Sequence, residues 1–292
     1  MDIEGHSNAN APRSKLPLGL YIVAVPIGNP KDITLRALEV LTAVEVIACE
    51  DTRMTDKLLR HHGIKGRMIP YHDHSSDREL QTILWHLAEG RSVALVSDAG
   101  TPLISDPGYK LVREAQAAGY PVTSLPGASS VMTALTLAGL PTDRFLFEGF
   151  LANKSGARRT QLEEVAGWPV TLIYFESPRR LVESLEDMVA VLGPSRQATV
   201  LRELTKTYEE VRPGTLEELV AIFGSREEVK GEIVIIIEPA KPLVLNEEEV
   251  DSLLLKAMEQ MSLKDAAAHV ASLTQQPKKV IYARALELKK KE

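Results

Sequence analysis

Residues 93–108 read Val-Ala-Leu-Val-Ser-Asp-Ala-Gly-Thr-Pro-Leu-Ile-Ser-Asp-Pro-Gly. The first four residues are apolar without alternation, the pattern of a strand buried on both faces of a parallel sheet. The strand then runs into Ser97-Asp98 and a loop with two glycines, two prolines and two aspartates. A buried strand needs no such polar, conformationally special exit. As a ligand loop, it offers Asp98 to accept hydrogen bonds from a ribose or an amine, and Gly100 to let the backbone approach. As a plain turn, it places Asp106 as a helix N-cap with Pro107 at the first helical position.

Working outward, the segment 18–138 alternates short β-branched runs with helical patterns. Strands are expected at Leu20–Val25, Val44–Cys49, Arg67–Pro70, Ser92–Ser97 and Pro121–Leu125. Between them Leu35, Leu38 and Leu41 recur every three residues, and Leu80, Ile83, Leu84 and Leu87 mark one helix face. Such alternation implies crossover connections and a mainly parallel sheet. After a break at 139–143 the pattern resumes, with strands expected at Phe145–Phe150, Val170–Phe175, Ala198–Glu203, Tyr208–Arg212 and Ile233–Glu238. Helices are expected at about 155–166, 178–191 and 215–223. Residues 239–245 read as a linker. Three helical patterns follow, with Asn246 and Ser262 in N-cap positions and Gln276-Pro277 breaking the second from the third. The expected organisation is a disordered leader over 1–17, α/β domains over 18–140 and 141–240, and a small helix-turn-helix-like domain over 246–292.

The 292 residues carry 34 basic and 40 acidic side chains, a formal net charge of −6. That balance argues against a chain that coats nucleic acid indiscriminately, while leaving room for a local basic groove. One cysteine makes neither an internal disulfide nor a four-cysteine zinc site. The leader lacks the basic and apolar regions of a signal peptide. The most apolar run, residues 233–237, is far shorter than the ~18–20 residues of a membrane span. A soluble cytoplasmic protein is expected.

Neither G-x-G-x-x-G after the first strand nor G-x-x-x-x-G-K-[ST] occurs, which disfavours nicotinamide and nucleoside-triphosphate chemistry. The first strand ends instead in Pro26-Ile27-Gly28-Asn29-Pro30, at the sheet edge where open α/β folds place ligands. A third exit, residues 125–130, brings Ser129 and Ser130 to a helix start, where hydroxyls also serve as caps. Glu50 and Asp51 follow the second strand on the same edge. Either fits a general base, with Arg53 pairing it or a phosphate; Asp51 equally fits a cap and Glu50 a salt bridge. Glu176, Glu203 and Lys206 are further candidates. His61, His62, His72 and His74 cluster, but no Cys or HExxH accompanies them, so a polar contact loop is expected rather than a metal. Basic side chains suited to phosphate contacts are Arg53, Lys154, Arg158, Arg159, Arg179 and Arg180, each also compatible with a solvated face. Aromatics at 5% argue against a broad base-stacking platform.

PIGNPKDITLRA, the tetrad Glu50-Asp51-Thr52-Arg53, VSDAGTPLISDPG and LPGASSVMTAL occur in the order of the tetrapyrrole methylase superfamily. With YFESPRR (174–180), RELTK (202–206) and KGEIVIIIEP (230–239), the chain resembles that superfamily's ribosomal RNA branch, the small-subunit (16S) rRNA cytidine 2′-O-methyltransferases. The resemblance covers about 18–240, and the tail is similar to that branch's small helical domain. It implies two three-layer α/β domains of the class III methyltransferase kind, with S-adenosylmethionine in a cleft between them. By motif position, Pro26, Asp98, Thr101, Ser129, Ser130 and Phe175 are implied at the cofactor. It implies no metal, a homodimer, and a 16S rRNA or small-subunit partner recognised by shape and phosphate, with Arg53, Lys154, Arg158, Arg159, Arg179 and Arg180 and the histidine stretch as the expected RNA contacts. Methyl transfer to a ribose hydroxyl then rests mainly on positioning, assisted by Glu50, Asp51 or Lys206. The rivals are a tetrapyrrole-precursor C-methyltransferase, against which PIGNP stands in place of a glycine cluster, and a non-catalytic RNA-binding module.

Overall fold

The computed structural model describes residues 16–72, 77–241, 246–274 and 276–289. Most of the expected leader, His74, part of the linker and the last three residues lie outside the described residues.

The first sheet contains β1 (Gly19–Val23), β2 (Val46–Cys49), β3 (Met68–Pro70), β4 (Ser92–Val96) and β5 (Val122–Leu125), in the order β3-β2-β4-β1-β5. All of its pairings are parallel. Alternate strand residues point to opposite faces, and both faces are covered. One face buries Val23, Ile47, Cys49 and Val96 under α1 (Leu35–Ala43) and α2 (Thr52–His61). The other buries Leu20, Ile22, Val93 and Leu95 under α3 (Asp77–Ala88) and α4 (Tyr109–Ala117). That double burial is why Val93–Val96 reads as an unbroken apolar run. Thr34 caps α1 by accepting from the Ala37 N–H, and Asp51 caps α2 through the Arg53 N–H. The expected cap at Asp106 is corrected: α4 starts at Tyr109 with Gly108 as its N-cap and no side-chain cap bond. Gly108 sits at φ 138°, and a Cβ there would come within 2.7 Å of Leu95 and 2.9 Å of Leu103. The tight fold of the loop onto β4, rather than a capping carboxylate, therefore sets the start of α4.

The second sheet contains β6 (Phe145–Phe150), β7 (Thr171–Glu176), β8 (Gln197–Arg202), β9 (Glu210–Thr215) and β10 (Ile233–Ile237), in the order β6-β7-β10-β8-β9. β6 and β7 are parallel, with a register shift between Phe147 and Gly149. Its helices are α6 (Ser155–Val165), α7 (Leu181–Leu192) and α8 (Leu216–Gly224), the last opened by a Thr215/Glu218 capping box. α7 begins later than its sequence pattern suggested, because Pro178–Arg180 form a turn. The tail is α9 (Glu247–Gln260), α10 (Leu263–Thr274) and α11 (Lys278–Lys289) around a core of Leu254, Ala267, Val270 and Ile281. Asn246 opens α9 with a capping box, and Ser262 accepts from the Asp265 N–H, as their positions predicted.

Two compact units result. One comprises the described residues of 1–137 with Leu201–Val211 and Gly231–Val234; the other comprises Ala138–Val200, Arg212–Lys230 and the described residues from Ile235 on. The grouping is discontinuous in sequence, whereas the sequence reading divided the chain at 140–141.

In the second unit a charged cluster is sealed between α6 and α7. Arg158 is 1% exposed, and its Nε donates to Asp187 at 2.6 Å. Asp187 also accepts from Ser155 at 2.9 Å and from Arg159 at 2.6 Å. Burial pushes the Asp187 carboxyl up, but these donors more than offset it, so it lies below its ordinary range. Removing either Arg158 or Asp187 strands the other's charge without water. Asp187→Ala is therefore expected to cost about 3–5 kcal/mol, read from the denaturant midpoint. The double change Arg158→Met with Asp187→Leu is expected to cost less than Asp187→Ala alone.

Candidate active site

Because the first sheet is parallel, the exits of β1, β2, β4 and β5 fall on one edge. The loops there are bonded to each other. Beyond β1, Val25 and Gly100 exchange hydrogen bonds of 2.9 and 3.0 Å, an antiparallel bridge that folds the β4 loop back over the β1 exit. Gly100 has φ 75°, and a Cβ there would stand 3.3 Å from Ile27. Asp98 Oδ1 accepts from the Asp51 N–H at 3.0 Å, tying the β4 exit to the β2 exit. Thr101 Oγ1 donates to the Ala128 carbonyl at 3.0 Å, tying it to the β5 exit. Ser129 precedes α5 (Ser130–Leu137) and accepts weakly from the Met132 N–H at 3.4 Å. The edge thus gathers Pro26, Asp51, Asp98, Thr101, Ser129 and Ser130 on a backbone whose side chains are mostly small.

A further segment of this unit closes on the β1 exit from far along the chain. The Asn29 N–H donates to Thr205 Oγ1 at 3.0 Å. A Cβ on Gly28 would meet Lys206 Cγ at 2.5 Å, Thr205 Oγ1 at 2.7 Å and the Leu204 carbonyl at 2.8 Å. Glu203 (φ 53°) and Thr205 (φ 64°) hold left-handed backbone, as do Leu103 (φ 75°) and Ser105 (φ 59°) in the β4 loop. These four are the non-glycine residues with positive φ among the described residues, and they fall in two loops. Strain of this kind persists where surrounding contacts over-determine the loop. Here Lys206 supplies them, its Nζ reaching Glu203 at 2.7 Å and Glu232 at 3.0 Å.

The electrostatics sort the candidate bases. Hydrogen bonds from the Arg53 side chain and backbone hold the Asp51 carboxyl down at about 2, so it takes up a proton poorly. Partial desolvation of Lys206 is outweighed by Glu203 and Glu232, so its ammonium lies above the ordinary lysine value and stays charged. Asp98 is shifted upward, first by desolvation and then by the neighbouring Asp51 charge. Glu50 directly follows β2 and is half-buried on the same edge.

In the second unit Phe175, at the end of β7, meets Phe147 and Phe150 edge-on at centroid distances of 4.8 and 5.5 Å. The adjacent Glu176 is buried, accepting from Ser184 at 2.5 Å and from Arg180 at 3.1 Å. Arg180 also donates to the Leu151 carbonyl at 2.7 Å and bonds Asn153, so it pins the β6 exit beside the aromatic group. Of the expected RNA contacts, Arg158 is corrected: its guanidinium is interior and committed to Asp187. Lys154 and Arg179 are exposed and Arg159 half-exposed, while Arg53 is exposed beside Asp51. His62 donates to the Pro30 carbonyl at 3.1 Å. No group of three or more His, Cys, Asp or Glu side chains suited to a metal ion occurs among the described residues. Nor is any described helix long and apolar enough to cross a membrane.

Small residues, glycines that a Cβ would crowd, and a polar rim over parallel strand ends form a cradle for an extended ligand. Residues 19–220 match the tetrapyrrole (corrin/porphyrin) methylases. The chain belongs to the tetrapyrrole methylase family. Residues 245–289 of this methylase match the RsmI C-terminal HTH domain. It is 49% identical over 278 residues to a protein of Mesorhizobium japonicum named ribosomal RNA small subunit methyltransferase I, covering 95% of each chain. A protein of the same name from Escherichia coli O157:H7 is 49% identical over 273 residues, covering 92% of this chain and 94% of the relative. In fold it is similar to uroporphyrin-III C-methyltransferase from Thermus thermophilus, solved with S-adenosyl homocysteine, with a TM-score of 0.54 and 22% identity, covering 75% of this chain and 96% of that one.

Asn29, Thr205 and Glu232 escaped the sequence reading, because bonds between residues 176 apart leave no local signature. The sequence reading also missed the burial of Arg158; the signal it passed over is the spacing that puts Arg158, Leu162 and Val165 on one helix face. Gly28→Ala is expected to push the 204–206 segment off the β1 exit at a cost of about 1–3 kcal/mol, read as a lowered thermal midpoint. The Lys206 clamp has a defined pH window. Hydrogen bonding from Lys206 lowers the Glu203 carboxyl, so its stabilisation is complete above the ordinary 4.5 and lost as pH falls through the depressed value. The raised Lys206 contribution is complete below its ordinary 10.5 and lost as pH rises through the elevated one. Amide protection factors at 203–206, corrected for the intrinsic pH dependence of exchange, are expected to stay high between those limits and to fall outside them.

Proposed function

We propose that this methylase transfers the methyl group of S-adenosylmethionine to the ribose 2′-hydroxyl of a cytidine in the decoding region of 16S rRNA, in the cytoplasm and as a homodimer. What carries the reading is near-half identity, over almost the full length of both chains, to proteins named for small-subunit ribosomal RNA methylation. The matched helical tail supports the same branch. Likeness to the solved uroporphyrin-III C-methyltransferase, at 22% identity, is at the level of fold alone.

Bound S-adenosylmethionine supplies an electrophilic methyl group on a sulfonium. Asp98 Oδ1 already accepts from the Asp51 N–H, and its carboxylate would hold the cofactor's ammonium. Gly100 and Pro26 let the ligand approach the backbone, and Thr101, Ser129 and Ser130 line the β4 and β5 exits. In the second unit Glu176 and Arg180 hold the β7 end that carries Phe175 in place.

For the acceptor, in-line displacement needs the hydroxyl close and collinear, so positioning is the main contribution. Of the candidate bases, Asp51 is too weakly basic and serves as a cap, and Lys206 is held as a cation. Glu50 is then the group that takes the ribose proton. Lys206 keeps the Glu203–Thr205 loop closed on Gly28. Lys154, Arg159 and Arg179, with Arg53, contact RNA phosphates.

Incubation with labelled cofactor and either isolated small subunits or naked 16S rRNA is expected to place label on one cytidine 2′-oxygen. Absence of label in both substrates overturns the proposal. Glu50→Gln is expected to lower kcat by about a hundredfold or more with cofactor affinity kept. Unchanged kcat removes Glu50 as base. Asp51→Asn is expected to act chiefly on the stability of α2.

A further inference from the structure

The second unit contains a cavity of about 840 Å³ that has no part in the site described above. It is lined by the approaches to β6 and β7 (Asp143, Arg144, Trp168), the exit of β10 (Glu238, Lys241) and the tail (Gln276). β6 and β7 are parallel, and these approaches lie at their N-terminal ends. The Phe175 cluster lies at the C-terminal ends, about 17 Å away at ~3.3 Å per residue. The volume is within the about 300–1,000 Å³ of small-molecule sites.

Its lining has unused recognition capacity. Trp168 is 48% exposed, although its backbone is fixed at both ends: its N–H donates to the Val165 carbonyl and its carbonyl accepts from the Ala240 N–H, each at 3.0 Å. An exposed indole on a fixed backbone is a preorganised stacking surface. Glu238 Oε2 is buried without a hydrogen-bond partner among the described residues, so an acceptor is desolvated with no donor supplied. Two cations stand beside it: Lys241 at 3.8 Å, and Arg196, whose Nε donates to the Glu238 backbone carbonyl at 2.8 Å. Arg144 is exposed, and among the described residues no ion-pair partner approaches it. An aromatic face, an unfilled carboxylate acceptor and an unpaired guanidinium are together the groups that hold an unpaired nucleotide: base on ring, amino edge on carboxylate, phosphate on arginine.

We propose that this cavity is a nucleotide-binding exosite, in which Trp168 stacks one unpaired base of the RNA substrate, Glu238 accepts from its exocyclic amino group and Arg144 contacts its phosphate. The proposal rests on the RNA substrate of the reading above and adds a second point of grip on it. It also reconciles the low aromatic content with RNA recognition, because one stacked base needs one ring.

The test uses the full chain with Trp85→Phe, leaving Trp168 as the single indole, since the sequence has two tryptophans. Titration with single-stranded oligocytidylate is expected to quench Trp168 emission, and Arg144→Ala is expected to lower the slope of log affinity against log salt by about one. In methylation assays Trp168→Ala is expected to raise KM for the RNA about tenfold, with kcat and cofactor Kd unchanged. Trp168→Phe, which keeps a stacking ring, is expected to restore most of that loss. An unquenched Trp168, or an unchanged KM in a folded, cofactor-binding Trp168→Ala protein, overturns the exosite. If the parent methylates neither small subunits nor rRNA, the functional reading fails instead, and the quench alone then decides whether the cavity takes a nucleotide.

Discussion

Two hydrogen bonds between Val25 and Gly100 organise the candidate active site. They turn the loop leaving β4 back across the exit of β1, and they require Gly100 in a left-handed conformation that other residues reach only under strain. Once that bridge is set, Thr101 reaches Ala128 and Asp98 reaches Asp51, so three strand exits are joined by single hydrogen bonds. The Asn29 N–H then donates to the Thr205 hydroxyl oxygen. Parallel strands make this arrangement possible, because only in a parallel sheet do successive exits share an edge.

The two units stabilise their functional edges by different means. In the first, backbone geometry and small residues predominate, and charge enters through the exposed Asp51–Arg53 pair and the Lys206 clamp. In the second, buried charge fixes the parts: Arg158 and Asp187 join α6 to α7, and Glu176 with Arg180 fixes the ends of β6 and β7. A buried ion pair adds little net stability against an apolar equivalent, but it penalises any register in which the partners fail to meet. This suits a strand end on which Phe175 packs edge-on against Phe147 and Phe150.

Much of the architecture was legible because it is written in local pattern. The unbroken apolar runs of 93–96 and 233–237 announced strands buried on both faces, and the periodicity of 80–87 announced α3. Asn246 and Ser262 marked helix starts because capping is decided by residues within one turn. The same logic failed at Asp106, where a favourable cap residue lost to the close packing of Gly108 under Leu95 and Leu103. It also failed at Arg158, which a count of basic residues offers to RNA and the helix turns inward to Asp187.

The sequence by itself determined the alternation of strands and helices, the polar strand exits, the helical tail and the set of chemically apt residues on one sheet edge. It did so because periodicity, turn chemistry and capping act over a few neighbouring residues. Only the tertiary structure decided what each of those residues does. It made Asp51 a weakly basic cap and Lys206 a clamp charged at neutral pH, removed Arg158 from the surface, and set Trp168 beside Glu238 and Arg144 in one cavity. The physical reason is that protonation and accessibility depend on desolvation and on neighbours brought from far along the chain, as Asn29 and Thr205 are, 176 residues apart.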